Sequence, residues 1–147
     1  MKKIYFLIKI LTISLCITSL GYAAKSEYYD KGIKLFNKKE FDKSKFLFEK
    51  DIVFNPKNEK SYLYLAKIFK NQDKDLEEEK NLSNVLLLNP QNDEAIYLLI
   101  LLKIKQSDYK EAKKLMEKFD LVCSSFCTKK KEIEKKFEKL IPENEKN

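Results

Sequence analysis

Asn55-Pro56 and Asn89-Pro90 stand 34 residues apart in matching surroundings, FNPKNEKSYLYL and LNPQNDEAIYLL. A unit of that length cannot bury its apolar face alone, so a chain repeating it must stack the units side by side. With each Pro near the end of a unit, the repeats run 25–58, 59–92 and 93–126, and an incomplete fourth follows.

Each unit reads as two helices. In the first, Tyr28, Gly32 and Leu35 share a face, the polar stretch Asn37 to Glu40 intervenes, and Phe41, Ser44, Phe48 and Ile52 recur at helical spacing. In the second, Tyr62, Leu65, Ala66 and Phe69 precede the turn Asn71 to Lys74, and Leu82, Val85 and Leu86 form the next stripe. In the third, Ala95 to Ile104 leads through Gln106-Ser107-Asp108 to Tyr109, Ala112, Leu115, Met116, Phe119 and Val122. Asp42, Asp75 and Asp108 lie near the second-helix starts, where a carboxylate is expected to cap free N–H groups. Pro56 and Pro90 occupy the joints, where a ring without an N–H stops one helix and starts the next.

Composition supports this all-helical reading. The 147 residues include only 2 Gly and 3 Pro, too few for the turns of an all-β fold. There is no His, which removes the usual general base near neutral pH, Ser/His and Cys/His nucleophile systems, and His-containing zinc sites. The formal charge is +7, and all 30 basic residues are Lys. A nucleic-acid reader is expected to use the planar fork of Arg, and the Lys here mix with Glu and Asp along the helices, so nucleic acid is not the expected partner.

Residues 1–23, MKKIYFLIKILTISLCITSLGYA, have a basic start, an apolar run from Ile10 to Leu20 and small residues before a cleavage point at Ala23. That is the pattern of a secretory signal peptide, giving a mature chain in the periplasm or outside the cell. An uncleaved membrane anchor is the alternative, which Lys9 interrupts. Lipidation at Cys16 is a third, but Leu15 is bulky where a small residue is expected. Two cysteines follow, Cys123 and Cys127 in CSSFC, and an even count in an exported chain suggests a disulfide. Two reduced thiols are the alternative.

Together the period, the hairpin unit and the Pro joints resemble the tetratricopeptide repeat family, over nearly all of the mature chain. The resemblance implies an all-α solenoid of three helix-turn-helix repeats over residues 24–147, closed by an amphipathic capping helix near 127–141. Gly32, Phe41, Ser44 and Phe48 match the family pattern in the first unit, and Tyr109 and Ala112 match in the third. The second keeps the small Ala66, but Glu78 stands where a small residue is usual and Asp75 where an aromatic is. Asp51, Val85 and Phe119 occupy a position that usually holds Ala. Ile133, Phe137, Leu140 and Ile141 form the expected buried stripe of the lid. Ser124 replaces the third joint's Pro, and a Cys123–Cys127 bond would fix the lid's approach in its stead.

The resemblance also implies a concave groove lined by first helices. It places Tyr29, Ile33 and Phe36 beside Leu63, Lys67 and Lys70, then Tyr97, Leu101 and Ile104, an apolar and aromatic surface with a few Lys for an extended or helical peptide. The family's charged clamp for chaperone tails does not carry over, since Tyr29, Ile33, Tyr64 and Leu98 occupy its sites. Ala95 to Ile104 is apolar almost all round, which suits either a buried core helix or a ligand or homodimer contact. The expected function is a non-enzymatic adaptor for a protein or peptide partner in a bacterial envelope, without a small-molecule cofactor or metal. A cell-wall enzyme using Glu77, Glu78 and Glu79 is the alternative of a different class, though these read more plainly as a solvated face. A membrane-surface role for the Lys-rich stretch Lys129 to Lys139 is weakened by its interspersed Glu.

Overall fold

The computed structural model describes residues 26–142, so the amino-terminal segment, Cys16 and the cleavage point at Ala23 lie outside the described residues. Seven α-helices follow in order: α1 (Glu27–Asn37), α2 (Phe41–Phe54), α3 (Glu59–Asn71), α4 (Asp75–Leu88), α5 (Asp93–Lys105), α6 (Tyr109–Val122) and α7 (Lys130–Leu140), with a short 3-10 turn, Cys127–Lys129, before the last. They pair as three hairpins, α1 with α2, α3 with α4 and α5 with α6, each packed on the next, and α7 lies against α5 and α6. The described residues thus form an all-α solenoid of three helix-turn-helix units and a terminal helix.

Every hairpin turns in the same way. Lys39, Asp73 and Ser107, spaced by the repeat, adopt left-handed backbone with φ of 61, 53 and 60°. The following N–H groups of Glu40, Lys74 and Asp108 reach back to the carbonyls of Leu35, Phe69 and Lys103 at 3.0, 3.0 and 2.9 Å, which satisfies carbonyls the helix end leaves free. None of the three is Gly, so one residue per turn carries a conformational cost that the turn's hydrogen bonds offset. The capping expectation holds only for Asp108, which accepts from the Glu111 N–H at 3.2 Å. Asp42 and Asp75 are already inside their helices, and the residues at the cap positions, Glu40 and Lys74, make no side-chain cap.

Inside the first hairpin the two helices meet at Gly32, where an added Cβ would lie 2.8 Å from the Phe48 ring. Ser44 sits opposite and donates to the Gly32 carbonyl at 2.9 Å, so a small residue on each side permits the close crossing. Phe48, Leu65, Ile68 and Phe69 form the core between the first and second hairpins. A larger core gathers Leu82, Val85, Ala112, Leu115, Phe119 and Ile133 around α5. Ala95 through Ile100 are all buried, as are Leu102 and Ile104. The apolar helix is therefore a core helix, covered on its several sides by the second hairpin, α6 and α7.

The lid is shorter than its sequence pattern implies. Ile133 is buried and Phe137 packs edge-on to Tyr109, their ring centroids 6.1 Å apart, but Leu140 is exposed and Ile141 has left the helix. At the joint before it, Cys123 and Cys127 stand at disulfide distance with Cα atoms 5.2 Å apart. Closing so small a ring is worth about 2 kcal/mol in chain entropy. Protein from its native compartment is expected to resist alkylation until reduced, and reduction to lower its unfolding free energy by about that amount. Two thiols alkylated without reductant would overturn the pairing.

Candidate functional site

The first helices of the three hairpins bring most of the expected groove residues to one side of the solenoid, though not as one open trough. At the junction of the first two hairpins, the Tyr64 ring is stacked on Phe48 at 5.0 Å and met edge-on by Phe36 at 5.0 Å and Tyr29 at 6.1 Å. Tyr29, Ile33 and Phe36 are each half-buried in this cluster and keep one edge toward solvent. Burial pushes the Tyr29 hydroxyl up to about 12, and its neighbours Tyr64 and Asp30 push the same way, so it stays a neutral hydrogen-bonding group.

Lys67 and Lys70 follow along α3. Lys67 lies 4.9 Å from the Tyr64 ring centroid and forms an ion pair with Glu94 at 2.6 Å, bridging the second and third hairpins. Lys70 is exposed overall, but it lines a cleft beside Glu78, Lys105 and Lys136, where its ammonium group is partly desolvated. That desolvation lowers its pKa against the pull of Glu78, and Lys136 and Lys105 act in the same direction as desolvation.

Leu63, Tyr97 and Ile104, expected on the groove surface, are core residues instead. For Tyr97 the cause is the path of the lid. The Tyr97 hydroxyl donates to Glu132 at 2.9 Å, the Phe126 ring lies 5.7 Å away and the Lys129 ammonium 5.9 Å from its centroid. Burial and the Glu132 bond push the Tyr97 hydroxyl up to about 12. Leu101 remains half-buried on the same helix. The accessible inner surface therefore consists of Tyr29, Ile33, Phe36, Lys67, Lys70 and Leu101, and α7 covers its end.

Two features were not anticipated from the sequence. Glu77, Glu78 and Glu79 do not form one solvated face: Glu77 is exposed, Glu79 pairs with Lys103 at 2.6 Å, and Glu78 is only 3% exposed. The second is a row of apolar side chains facing solvent near the end of each second helix. Val53, Leu87 and Leu121, one repeat apart, are 74, 80 and 86% exposed. The same 34-residue spacing that revealed the joints would have found this row. Among the described residues no group of three or more Cys, Asp and Glu is placed to hold a metal ion.

Three stacked antiparallel hairpins with a left-handed residue at each turn, a small-residue crossing in the first and an amphipathic end helix define a helical-repeat fold of the tetratricopeptide type. Solved structures carry the same fold. The first tetratricopeptide repeat domain of Spaghetti (RPAP3), bound to the HSP90 peptide SRMEEVD, superposes with a TM-score of 0.69 at 19% identity, over 77% of this chain and 90% of that one. The tetratricopeptide repeat domain of Sgt2 from Aspergillus fumigatus gives a TM-score of 0.64 at 19% identity, over 77% of this chain and 78% of that one. No protein-family model matches the sequence, and no curated protein does.

Proposed function

We propose that this chain is a non-enzymatic interaction scaffold of the bacterial cell envelope, exported by its amino-terminal segment, that binds a peptide or partner helix along its inner surface. The observation carrying this reading is the fold it shares with a domain solved with a peptide bound. An apolar partner side chain would rest on the half-exposed edges of Tyr29, Ile33, Phe36 and Leu101, and an acidic group would meet Lys67 or Lys70. The partner differs from an acidic chaperone tail, because Tyr29, Ile33, Tyr64 and Leu98 stand where a charged clamp would need polar residues.

Crosslinking in intact cells followed by purification of the chain tests the reading. The mature amino terminus is expected at Ala24, in an envelope fraction, with one reproducible protein partner. Leu101→Glu is expected to reduce capture of that partner at least tenfold while helicity and Tm stay near wild type, since Leu101 is half-exposed. Undiminished capture by a folded variant, or recovery of the chain from the cytoplasm with its first residues intact, would overturn the proposal.

A further inference from the structure

The second hairpin differs from its neighbours twice in one place. In the first hairpin, Phe36 at the end of α1 meets Phe41 at the start of α2, ring centroids 5.5 Å apart, and this aromatic pair plugs the turn end of the hairpin. In the third, the same registers carry Ile104 and Tyr109; in the second they carry Lys70 and Asp75. Three residues further, where the first and third hairpins have the small Ser44 and Ala112, the second has Glu78. Losing the plug leaves a cleft of about 370 Å³, open to solvent on one side, between α3, α4, α5 and α7. Leu101, Leu102, Ile104 and Leu140 form its apolar side, and Lys70, Lys105, Lys136, Asp73 and Glu78 its polar side.

Glu78 is nearly inaccessible, yet no hydrogen bond or ion pair joins its carboxylate to a described residue. Burying a carboxylate without donors costs several kcal/mol or drives it to the neutral form. Here burial pushes its pKa up to about 7 against the attraction of Lys70 and Lys105, with Asp75 and Asp73 adding to the rise. Lys105 is already engaged, 2.7 Å from Asp75 and 3.1 Å from Asp73. On the lid, Glu132 is taken by Lys129 at 2.8 Å and by Tyr97. Of the three Lys that line the cleft, Lys105 is thus paired, while Lys70 and Lys136 form no ion pair among the described residues.

We propose that this cleft binds a medium-chain alkyl carboxylate, its head held by Lys70, Lys136 and the acid form of Glu78, its chain lying on Leu101, Ile104 and Leu140. Three considerations choose this ligand. A cationic head would add a third charge beside two ammonium groups that form no ion pair. A neutral head would leave those ammonium groups without an anion. A carboxylate accepts from both Lys and from the Glu78 proton, and such charge-assisted bonds are the stronger kind. At roughly 30 Å³ for a water-sized group, the cleft holds about a dozen non-hydrogen atoms, which matches a head and a chain of about ten carbons.

The proton gives the site a signature. Glu78 must take up a proton to donate, so binding is favoured below its pKa and weakens as pH rises above it. For a group titrating near 7, the protonated fraction falls about tenfold between pH 6 and pH 8.

The test is calorimetric titration of the full chain with decanoate at pH 6 and pH 8, alongside NMR of leucine and isoleucine methyl groups. Decanoate is expected to shift Leu101, Leu102, Ile104 and Leu140 and to bind about tenfold more weakly at pH 8. Glu78→Gln keeps a donor and cannot titrate, so it should bind at both pH values about as wild type does at pH 6. Lys70→Met with Lys136→Met, both at exposed positions, should weaken binding at least tenfold at pH 6. Equal binding of decylammonium or decanol, shifts elsewhere on the solenoid, or an unchanged pH dependence in Glu78→Gln would each overturn the proposal. Tighter binding of an N-acetylated leucine dipeptide, which carries the same head on a peptide body, would overturn the alkyl assignment.

Discussion

Asp93→Ala is expected to cost about 3 kcal/mol and to release α7 from the solenoid before the three hairpins unfold. One oxygen of this buried carboxylate, Oδ2, accepts from three successive backbone N–H groups, those of Ser124, Ser125 and Phe126, at 2.8, 2.7 and 2.9 Å. The Ser124 hydroxyl donates to it as well, at 3.3 Å. These four donors bind the loop that carries Cys123 and Cys127 to the start of α5, and that loop sets where the lid begins. Alanine leaves all four without an acceptor. Hydrogen exchange should show residues 130–140 losing protection while α1 to α5 keep theirs, and urea unfolding should report the stability loss. Unchanged protection over 130–140 would show that Tyr97, Ile133 and Phe137 hold the lid without the loop.

The same carboxylate gives the lid a dependence on acid. Burial raises the Asp93 pKa, but the Ser124, Phe126 and Ser125 N–H groups more than offset it, and the net effect lies below the ordinary 3.8. A lowered carboxylate contributes stability that is fully present above the unfolded value and is lost as pH falls through the folded one. Lid release should therefore begin below about pH 4 in wild type and lose its acid step in Asp93→Ala.

How much of this was readable depends on whether the determining contact is periodic. The hairpins, their turns and the joints were, because one spacing repeats through Lys39, Asp73 and Ser107 and through Pro56 and Pro90. The lid's placement over Tyr97 was not. It follows from a contact between Asp93 and a loop more than 30 residues away, which no local pattern encodes. Two of the three Asp read as caps failed for a related reason. Asp42, Asp75 and Asp108 occupy three different registers of the repeat, and only Asp108 falls at the cap position. Glu78 was visible as a departure from the pattern, but its neighbours Glu77 and Glu79 made it look like part of a solvated run. Its burial follows from its register, shared with Ser44 and Ala112, where one helix of the hairpin faces the other.

The joints allow a second large effect to be predicted and then reversed. Asp51 is fully buried between the first and second hairpins, where its carboxylate accepts from Asn55 at 3.2 Å, from Asn58 at 2.7 Å and from the Ser61 hydroxyl. Asp51→Val removes the acceptor for a buried hydroxyl and two amides and is expected to cost about 3 kcal/mol. One repeat later the chain solves the same problem without charge: Val85 replaces Asp51 and Ala95 replaces Ser61. There Asn92, equivalent to Asn58, is freed to cap α5 by accepting from the Ala95 N–H at 2.9 Å. Transplanting that arrangement as Asp51→Val with Ser61→Ala removes donor and acceptor together, which is nearly neutral where removing one is costly. The double variant should therefore recover at least half of the loss, with Asn58 taking up the capping role. Thermal unfolding of both single variants and the double variant measures the coupling. Costs that simply add would mean that Asp51 acts through its fit in the joint rather than through these hydrogen bonds.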